Sequence, residues 1–425
     1  MILKEKNIKL LIIVQSLNFL ILNMGNVFIS IFLINTSNDV MGALLYNLFI
    51  AIMILAGFFI IGPLGEKYKK SGIIFSNILN CILYILILFL GEKSSGLVLI
   101  LGSISGLAQG FYWLSNNILT IDLIDNDNRK SYNSIVGVIN SILGMVGPII
   151  SATIISMFVG IKGYLVLFAA ILTIMVSAMV LTFFIKDPPS GREKFSIKKT
   201  YMNLDLRKFN IIMKITWKSL FRDGAVAFLI NILIYDVTRS EMLLGWFTAV
   251  MTLITVITYW IAGKVKSRVE KIYVISVYIQ IASVLILTMY FKNIYFIILY
   301  LILYGVACPL NALSYGVMVQ NSIAEADPEG EYRCELSCIK EVWIGVGRIS
   351  AIAIIVALYY FVSDFSLLWI FGVLSSVTSW MSIKDAKRLM EHWQLWWNQV
   401  FVWFENCCRF FFISLLTKAE YFAKI

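Results

Sequence analysis

Gly62-Pro63-Leu64-Gly65-Glu66-Lys67-Tyr68-Lys69-Lys70 is a glycine-led basic turn between two long apolar runs. After 201 residues the chain returns to it as Gly263-Lys264-Val265-Lys266-Ser267-Arg268-Val269-Glu270-Lys271. Glycine, aliphatic, cation and final cation coincide at an offset close to half the chain. A weaker echo relates Gly106-Leu107-Ala108 to Gly305-Val306-Ala307. Two repeated halves of this length, each filled with apolar segments, are a common plan for membrane proteins that bind at their midplane.

Composition names the solvent. Of 425 residues, 60% are hydrophobic and 14% charged, against about 45–50% and about 25% in a soluble domain. So few charges cannot cover the surface of a soluble protein this long, and the excess apolar surface faces lipid. Each crossing takes about 20 mostly apolar residues. Such runs lie near 8–35, 43–64, 73–90, 96–120, 132–159 and 163–185, then near 217–238, 242–263, 272–291, 294–322, 336–362 and 365–383. Between the sets a polar, basic stretch opens with Asp187-Pro188-Pro189-Ser190-Gly191-Arg192, where paired prolines end helices.

The pattern predicts an all-α polytopic membrane protein with twelve transmembrane helices in two pseudo-symmetric six-helix bundles and a C-terminal amphipathic helix. The expected units are 1–185, a cytoplasmic linker 186–216, 217–383, and an aromatic tail 384–425. Lysine and arginine set the orientation: 27 of 35 fall on the side of the N-terminus and linker and only Lys93, Lys162, Arg239 and Lys292 in the opposite loops. That bias predicts a cytoplasmic membrane protein with N-terminus, linker and C-terminus inside. In the tail, Trp393, Trp396, Trp397 and Trp403 surround a narrow stripe of Glu391, Gln394, Asn398, Glu405 and Arg409. This reads as a helix in the membrane interface, with a thirteenth span as the alternative.

Several chemistries are excluded. One histidine, His392, and no His/Cys pair at ligand spacing leave no metal site. No glycine-rich loop ending in Lys-Ser/Thr is present, so no nucleotide is hydrolysed. The six cysteines lie in apolar runs or beside basic loops and read as reduced packing residues. No nucleophile, base and orienting group come together, so no enzyme and no cofactor is expected. The net charge of +10 is accounted for by topology rather than by nucleic acid. Met1 starts a retained first helix, since no small-residue cleavage site follows.

On these residues the chain resembles the major facilitator superfamily. Gly62, Glu66, Lys67 and Lys70 match that family's loop signature between spans two and three, with Glu for Asp and Lys69 in place of its second glycine. Gly144, Gly147 and Pro148 look like its glycine-proline motif on span five, with Ser151 and Ala152 where further glycines are usual. The resemblance covers about residues 8–383. The span-four arginine that the family associates with proton coupling is absent. It implies transport by alternating access, with spans one, four, seven and ten around a central cavity.

The residues also have a direct physical reading. Gly62 allows a tight turn between helices, Lys67 is placed to pair with Asp122, and Glu66 to sit at the positive N-terminus of span eleven. Together with Gly263 and Arg268 these form an inner latch; a solvated basic loop is the alternative. Gly144, Gly147 and Pro148 fit gating or close helix packing equally. Polar groups within spans are costly and mark cavities or interhelical bonds. Gln15, Asn18, Gln109, Tyr112, Trp113, Asn116, Asn140, Asn231, Tyr235, Asn311 and Tyr315 therefore form the candidate substrate lining. Arg348, deep in span eleven, is a candidate anchor for an anionic group. Glu341, seven residues earlier on the same face, is the candidate coupling carboxylate. The expected activity is secondary transport of a small polar or amphipathic, anionic-tilted solute by a monomer in contact with membrane lipids. The alternatives are a lipid or lipophilic-compound exporter and a non-transporting sensor or accessory subunit docking through its tail.

Overall fold

Unbroken apolar stretches in lipid have one economical solution, the α-helix, because each backbone N–H and C=O is then satisfied within its own segment. The computed structural model describes residues 5–37, 40–187, 195–238, 241–265, 267–289, 294–359 and 364–390. Among them six long helices come first: α1 (Lys6–Ser37), α2 (Val40–Lys67), α3 (Ser71–Leu90), α4 (Val98–Leu123), α5 (Asn126–Ser156) and α6 (Lys162–Phe183). A two-turn helix, α7 (Ile197–Asn203), lies in the linker. Six more long helices follow: α8 (Arg207–Thr238), α9 (Glu241–Lys264), α10 (Val269–Met289), α11 (Ile294–Ala326), α12 (Arg333–Tyr359) and α13 (Asp364–Arg388). Eight of the long helices hold, within the described residues, a segment long and apolar enough to cross a membrane. Apolar side chains such as Phe89, Val159 and Tyr295 stand exposed on the outside, as expected of a multi-pass membrane protein.

Small residues set the closest approaches. Gly102, Gly106 and Gly110 recur every fourth residue along α4, and a methyl group on Gly102 or Gly106 would fall 2.6 Å from the carbonyl oxygen of Tyr46 or Ile50 on α2. That spacing lets two backbones touch in lipid, where packing rather than hydrophobic exclusion drives association. The first half is filled by Phe32, Tyr84, Phe168 and their aliphatic neighbours, and the second by a cluster around Phe209, Tyr273 and Met318. A third cluster joins the halves: Phe58, Ile61, Leu114 and Ile118 against Cys334 and Cys338 of α12, with Phe195 from the linker packed on it.

Three expectations change. Gly62 is no turn: α2 runs on through Gly62 and Pro63 to Lys67. Helix α8 begins at Arg207, inside the stretch 186–216 expected as linker; Lys218 and Arg222, counted with the cytoplasmic-side cations, are buried in it. The tail loses its first residues to α13, which extends to Arg388, and the tail helix from 391 onwards lies outside the described residues.

Candidate functional site

The two halves are fastened along two seams at the end of the bundle that carries the linker. On the first, α2 meets α12. Cys338 Sγ donates to the Phe58 carbonyl at 3.4 Å, and Asp122, at the end of α4, binds Lys69 at 2.5 Å and Arg333 of α12 through its other oxygen. All three side chains are largely buried, Asp122 at 3% exposure. Among the described residues Asp122 takes its cations from Lys69 and Arg333; the side chains of Lys67, its expected partner, and of Glu66 lie outside them. Asp327 shapes the approach to Arg333 by accepting the N–H groups of Glu331 at 3.0 Å and Tyr332 at 2.7 Å. Burial pushes its carboxyl up, against the pull of those same N–H groups.

On the second seam α9 and α11 meet α5. Ser134 donates to the Tyr259 carbonyl at 2.5 Å, and Asn133 to Gln320 at 2.7 Å. Arg129 donates to Asn321 at 2.9 Å and to the Ile121 carbonyl at 2.9 Å. Lys130 caps the end of α9 through the carbonyls of Val265 and Ser267, where a cation is favoured by the helix dipole. Gly263 lies against Ser134, whose Cβ would be 2.7 Å from an added methyl. Arg268, expected in the latch, is exposed and makes no side-chain hydrogen bond or ion pair among the described residues.

Beyond the first seam the same face of α12 opens. Cys334, Cys338, Glu341, Gly345 and Arg348 are spaced four, three, four and three apart, one stripe of a helix. Its first two members touch α2. Higher up, a methyl on Gly345 would meet nothing within 4 Å among the described residues, nor would one on Gly316 of α11. Arg348 is exposed and Glu341 is 8% exposed. Glu341 and Lys340 have no hydrogen-bond or ion-pair partner among the described residues. Gly347 allows this placement, because its α-carbon lies against the Trp217 carbonyl and Leu220 of α8.

Of the amides predicted as lining, Gln15, Asn116 and Asn311 bond across helices. Gln15 donates to Asn116 at 2.6 Å and accepts from Tyr132 at 2.7 Å. Asn18 bonds its own helix at Val14, and Gln109 reaches Ser105 at 3.4 Å. Tyr112 is buried with its ring edge-on to half-buried Trp113. Tyr315 donates to Thr216 at 3.0 Å, and Asn311 accepts from Arg222 at 3.3 Å. Asn140 keeps a buried carbonyl oxygen with no hydrogen-bond partner among the described residues, and the side chains of Asn231 and Tyr235 lie outside them. Gly147 packs against Asn23 of α1, Gly144 faces the same side chain at ordinary contact distance, and Pro148 lies inside α5.

Arg129, Arg222, Arg333 and the buried Lys218–Asp385 pair carry much of this architecture and were counted in the sequence only as topological charges. A cation within a turn of a helix start reads the same whether it faces solvent or a neighbour. The sole signal was that Lys218 and Arg222 share a helix face, four residues apart.

Two helical halves clamped at one end, with charged side chains on an open stripe behind the clamp, define a membrane transporter. The chain belongs to the Major Facilitator Superfamily, whose family model matches residues 11–326. It is 27% identical over 354 residues to the uncharacterized protein YqgE of Bacillus subtilis (strain 168), covering 82% of this chain and 81% of that one. A Geobacillus stearothermophilus protein, described as uncharacterized and encoded in the sodM 3' region, is 28% identical over 193 residues, 45% of this chain and 90% of its own. Among solved structures the fold is similar to the human organic anion transporter MFSD10, with a TM-score of 0.69 at 11% identity over 89% of this chain and all of that one. It is similar also to a bacterial homologue of the iron transporter ferroportin in an outward-facing state, with a TM-score of 0.68 at 12% identity, covering 90% and 100%. For the E. coli fucose:proton symporter FucP the TM-score is 0.67 at 12% identity, covering 88% and 98%.

Proposed function

We propose that this protein is a twelve-span secondary transporter of the cell membrane, with both termini and the linker in the cytoplasm, that moves a small organic solute bearing an anionic group by alternating access. The observation that carries the reading is the α12 stripe, clamped to α2 at Cys334 and Cys338 and open at Gly345 and Arg348. With the linker end assigned to the cytoplasm by its lysines and arginines, the conformation is closed inward, and rocking of the halves would exchange access to the stripe. Arg348 anchors the anion, because a guanidinium presents paired donors to a carboxylate or phosphate. Tyr315 and Glu341 flank it, and Glu341 is the coupling group. The transporters that share this fold carry different substrates, so the anionic preference rests on Arg348 and the coupling role on the placement of Glu341.

The test is thermal stabilisation of the purified protein across a panel of organic anions, cations and neutral solutes, since a ligand of the native state raises its stability. Anions should stabilise the wild type, Arg348→Ala should lose the shift while staying folded and monodisperse, and Arg348→Lys should keep part of it. Stabilisation by cations or neutral solutes that survives Arg348→Ala would overturn the assignment of the anchor. For Glu341→Gln, retained exchange of the identified anion without uphill uptake on a pH gradient supports coupling; unimpaired uphill uptake refutes it.

A further inference from the structure

We infer that linker residues Phe195–Asn203 form a strap that holds the inner gate shut, with Phe195 as its plug. The inference rests on the reading above in one respect, that the halves separate at the linker end during transport. Its evidence is the local packing. The Phe195 ring lies over Gly62 of α2, so that a methyl on Gly62 would fall 2.8 Å from its Cε2 atom. The ring packs on the cluster in which Phe58, Ile61, Leu114 and Ile118 of the first half meet Cys334 and Cys338 of the second. Glycine at 62, inside a helix with no turn to make, leaves the volume that the ring fills.

The residues after Phe195 are tied to the other half. Ser196 N–H donates to Glu335 Oε1 at 2.7 Å, and Glu335, in the first turn of α12, is fully buried. Ser196 also starts α7, its hydroxyl accepting from Lys199 N–H at 3.5 Å and its carbonyl accepting from the Thr200 hydroxyl at 3.1 Å. At the far end of α7, Asn203 donates to the Tyr332 hydroxyl at 2.6 Å. The strap is therefore anchored to the first turn of α12 and to the residue before it, and inserts its aromatic side chain against α2. Moving α12 from α2 must pull the ring off Gly62 and expose it further, and removing a partly buried phenyl group from its apolar contacts is unfavourable. On the equivalent seam Gly263 faces Ser134 of α5 directly, with no linker residue between among the described ones. Among the described residues the strap belongs to one seam only, and there it covers the junction whose direct bond is the longer, weaker thiol contact.

Two native thiols make the inference testable without a known solute. Cys334 and Cys338 lie beneath Phe195, at 3% and 0% exposure. In a full-length chain with Cys81, Cys308, Cys407 and Cys408 changed to Ser, a membrane-impermeant maleimide applied to inside-out vesicles reads the opening of this seam. Phe195→Ala should label about tenfold faster than the parent, Phe195→Leu near the parent rate, and Glu335→Ala faster than Glu335→Gln, which keeps an acceptor for Ser196. A second readout separates gate opening from mere uncovering of the thiols: spin labels at Asp127 and Glu329, both exposed and on opposite halves, in a cysteine-free background. Phe195→Ala should shift their distance distribution to longer values. Faster labelling with an unchanged distance would reduce Phe195 to a cover and overturn the strap. Parent-rate labelling in Phe195→Ala and Glu335→Ala, while Asp122→Ala labels fast, overturns the strap and leaves alternating access standing. If even Asp122→Ala leaves both readouts unmoved, the halves do not part here and both readings fall.

Discussion

The two seams occupy equivalent places in the two halves and are built from different chemistry. Tyr259 follows Phe58 by 201 residues and Cys338 follows Ser134 by 204, and each pair makes the same cross-half bond to a main-chain carbonyl, from a hydroxyl at 2.5 Å on one seam and from a thiol at 3.4 Å on the other. Arg333 follows Arg129 by 204 residues, and both reach across to the end of the opposite half's fourth helix. Arg333 finds the carboxylate of Asp122, which it shares with Lys69, while Arg129 finds the neutral amide of Asn321. The repeat has kept geometry and let chemistry diverge. One seam is a buried ionic cluster with a weak direct bond and a strap; the other is a row of ordinary hydrogen bonds between helices in contact. The first should fail abruptly when one partner is lost, and the second by degrees.

The largest effect should come from Asp122→Ala. It leaves two cations buried without their anion, and breaking a buried pair in this way costs about 3–5 kcal/mol. The expected result is a strong rise in labelling of Cys334 and Cys338 from the linker side, with a loss of thermal stability. Asn321→Ala removes the equivalent group, yet Arg129 keeps the Ile121 carbonyl, so about 1–3 kcal/mol is expected. Equal losses in the two variants would erase the distinction between the seams.

Next come the paired glycines. Alanine at 263 runs into Ser134 on a helix that is itself bonded to Tyr259, whereas alanine at 62 meets the far edge of the Phe195 ring on a two-turn strap. Overpacking costs about 1–3 kcal/mol. Gly263→Ala should lie within that range and Gly62→Ala below it, with the displaced ring reported by faster labelling of Cys334. The reverse order in melting temperature would mean that the strap is the more rigid of the two neighbours.

How far these seams were legible in sequence follows from what each residue's neighbours are. The helices, the half-chain repeat and the transporter family could be read because lipid enforces a helix on every apolar run and a basic excess on one side. Asp122 could be singled out as a carboxylate at a helix end. Its partners could not: Lys69 and Lys70 are adjacent in sequence, and only the packing of α3 on α4 gives Lys69 to Asp122 while Lys70 goes to the Phe183 and Ile185 carbonyls. Amide spacing located Gln15, Asn116 and Asn311 on inward faces, but inward in a bundle means a cavity or the next helix, and spacing alone does not reveal the bonds these amides make across helices. Phe195 gave no signal at all, being one aromatic residue in a polar stretch.

The smallest expected effect is also the sharpest comparison, because it exchanges one atom. Cys338→Ser puts on the first seam the hydroxyl that the second seam already has, and Ser134→Cys does the opposite. A hydroxyl donates a stronger and shorter hydrogen bond than a thiol, and a net bond within a protein is worth about 0.5–1.5 kcal/mol. Ser134→Cys should therefore loosen the α5–α9 seam by up to about 1 kcal/mol, since the longer sulfur must also fit beside Gly263. Cys338→Ser should tighten the α2–α12 seam by somewhat less, because the Phe58 carbonyl must move nearer, and α2 is held in place by the glycine stripe of α4. With Cys334 as the remaining reporter, Cys338→Ser should slow labelling up to a few-fold, and the Ser134→Cys change should quicken it if the seams open together. Quickening in the second variant shows one rigid-body motion of the two halves; no response at Cys334 would show that the seams part independently, so that the ionic cluster and strap govern their own side of the gate alone.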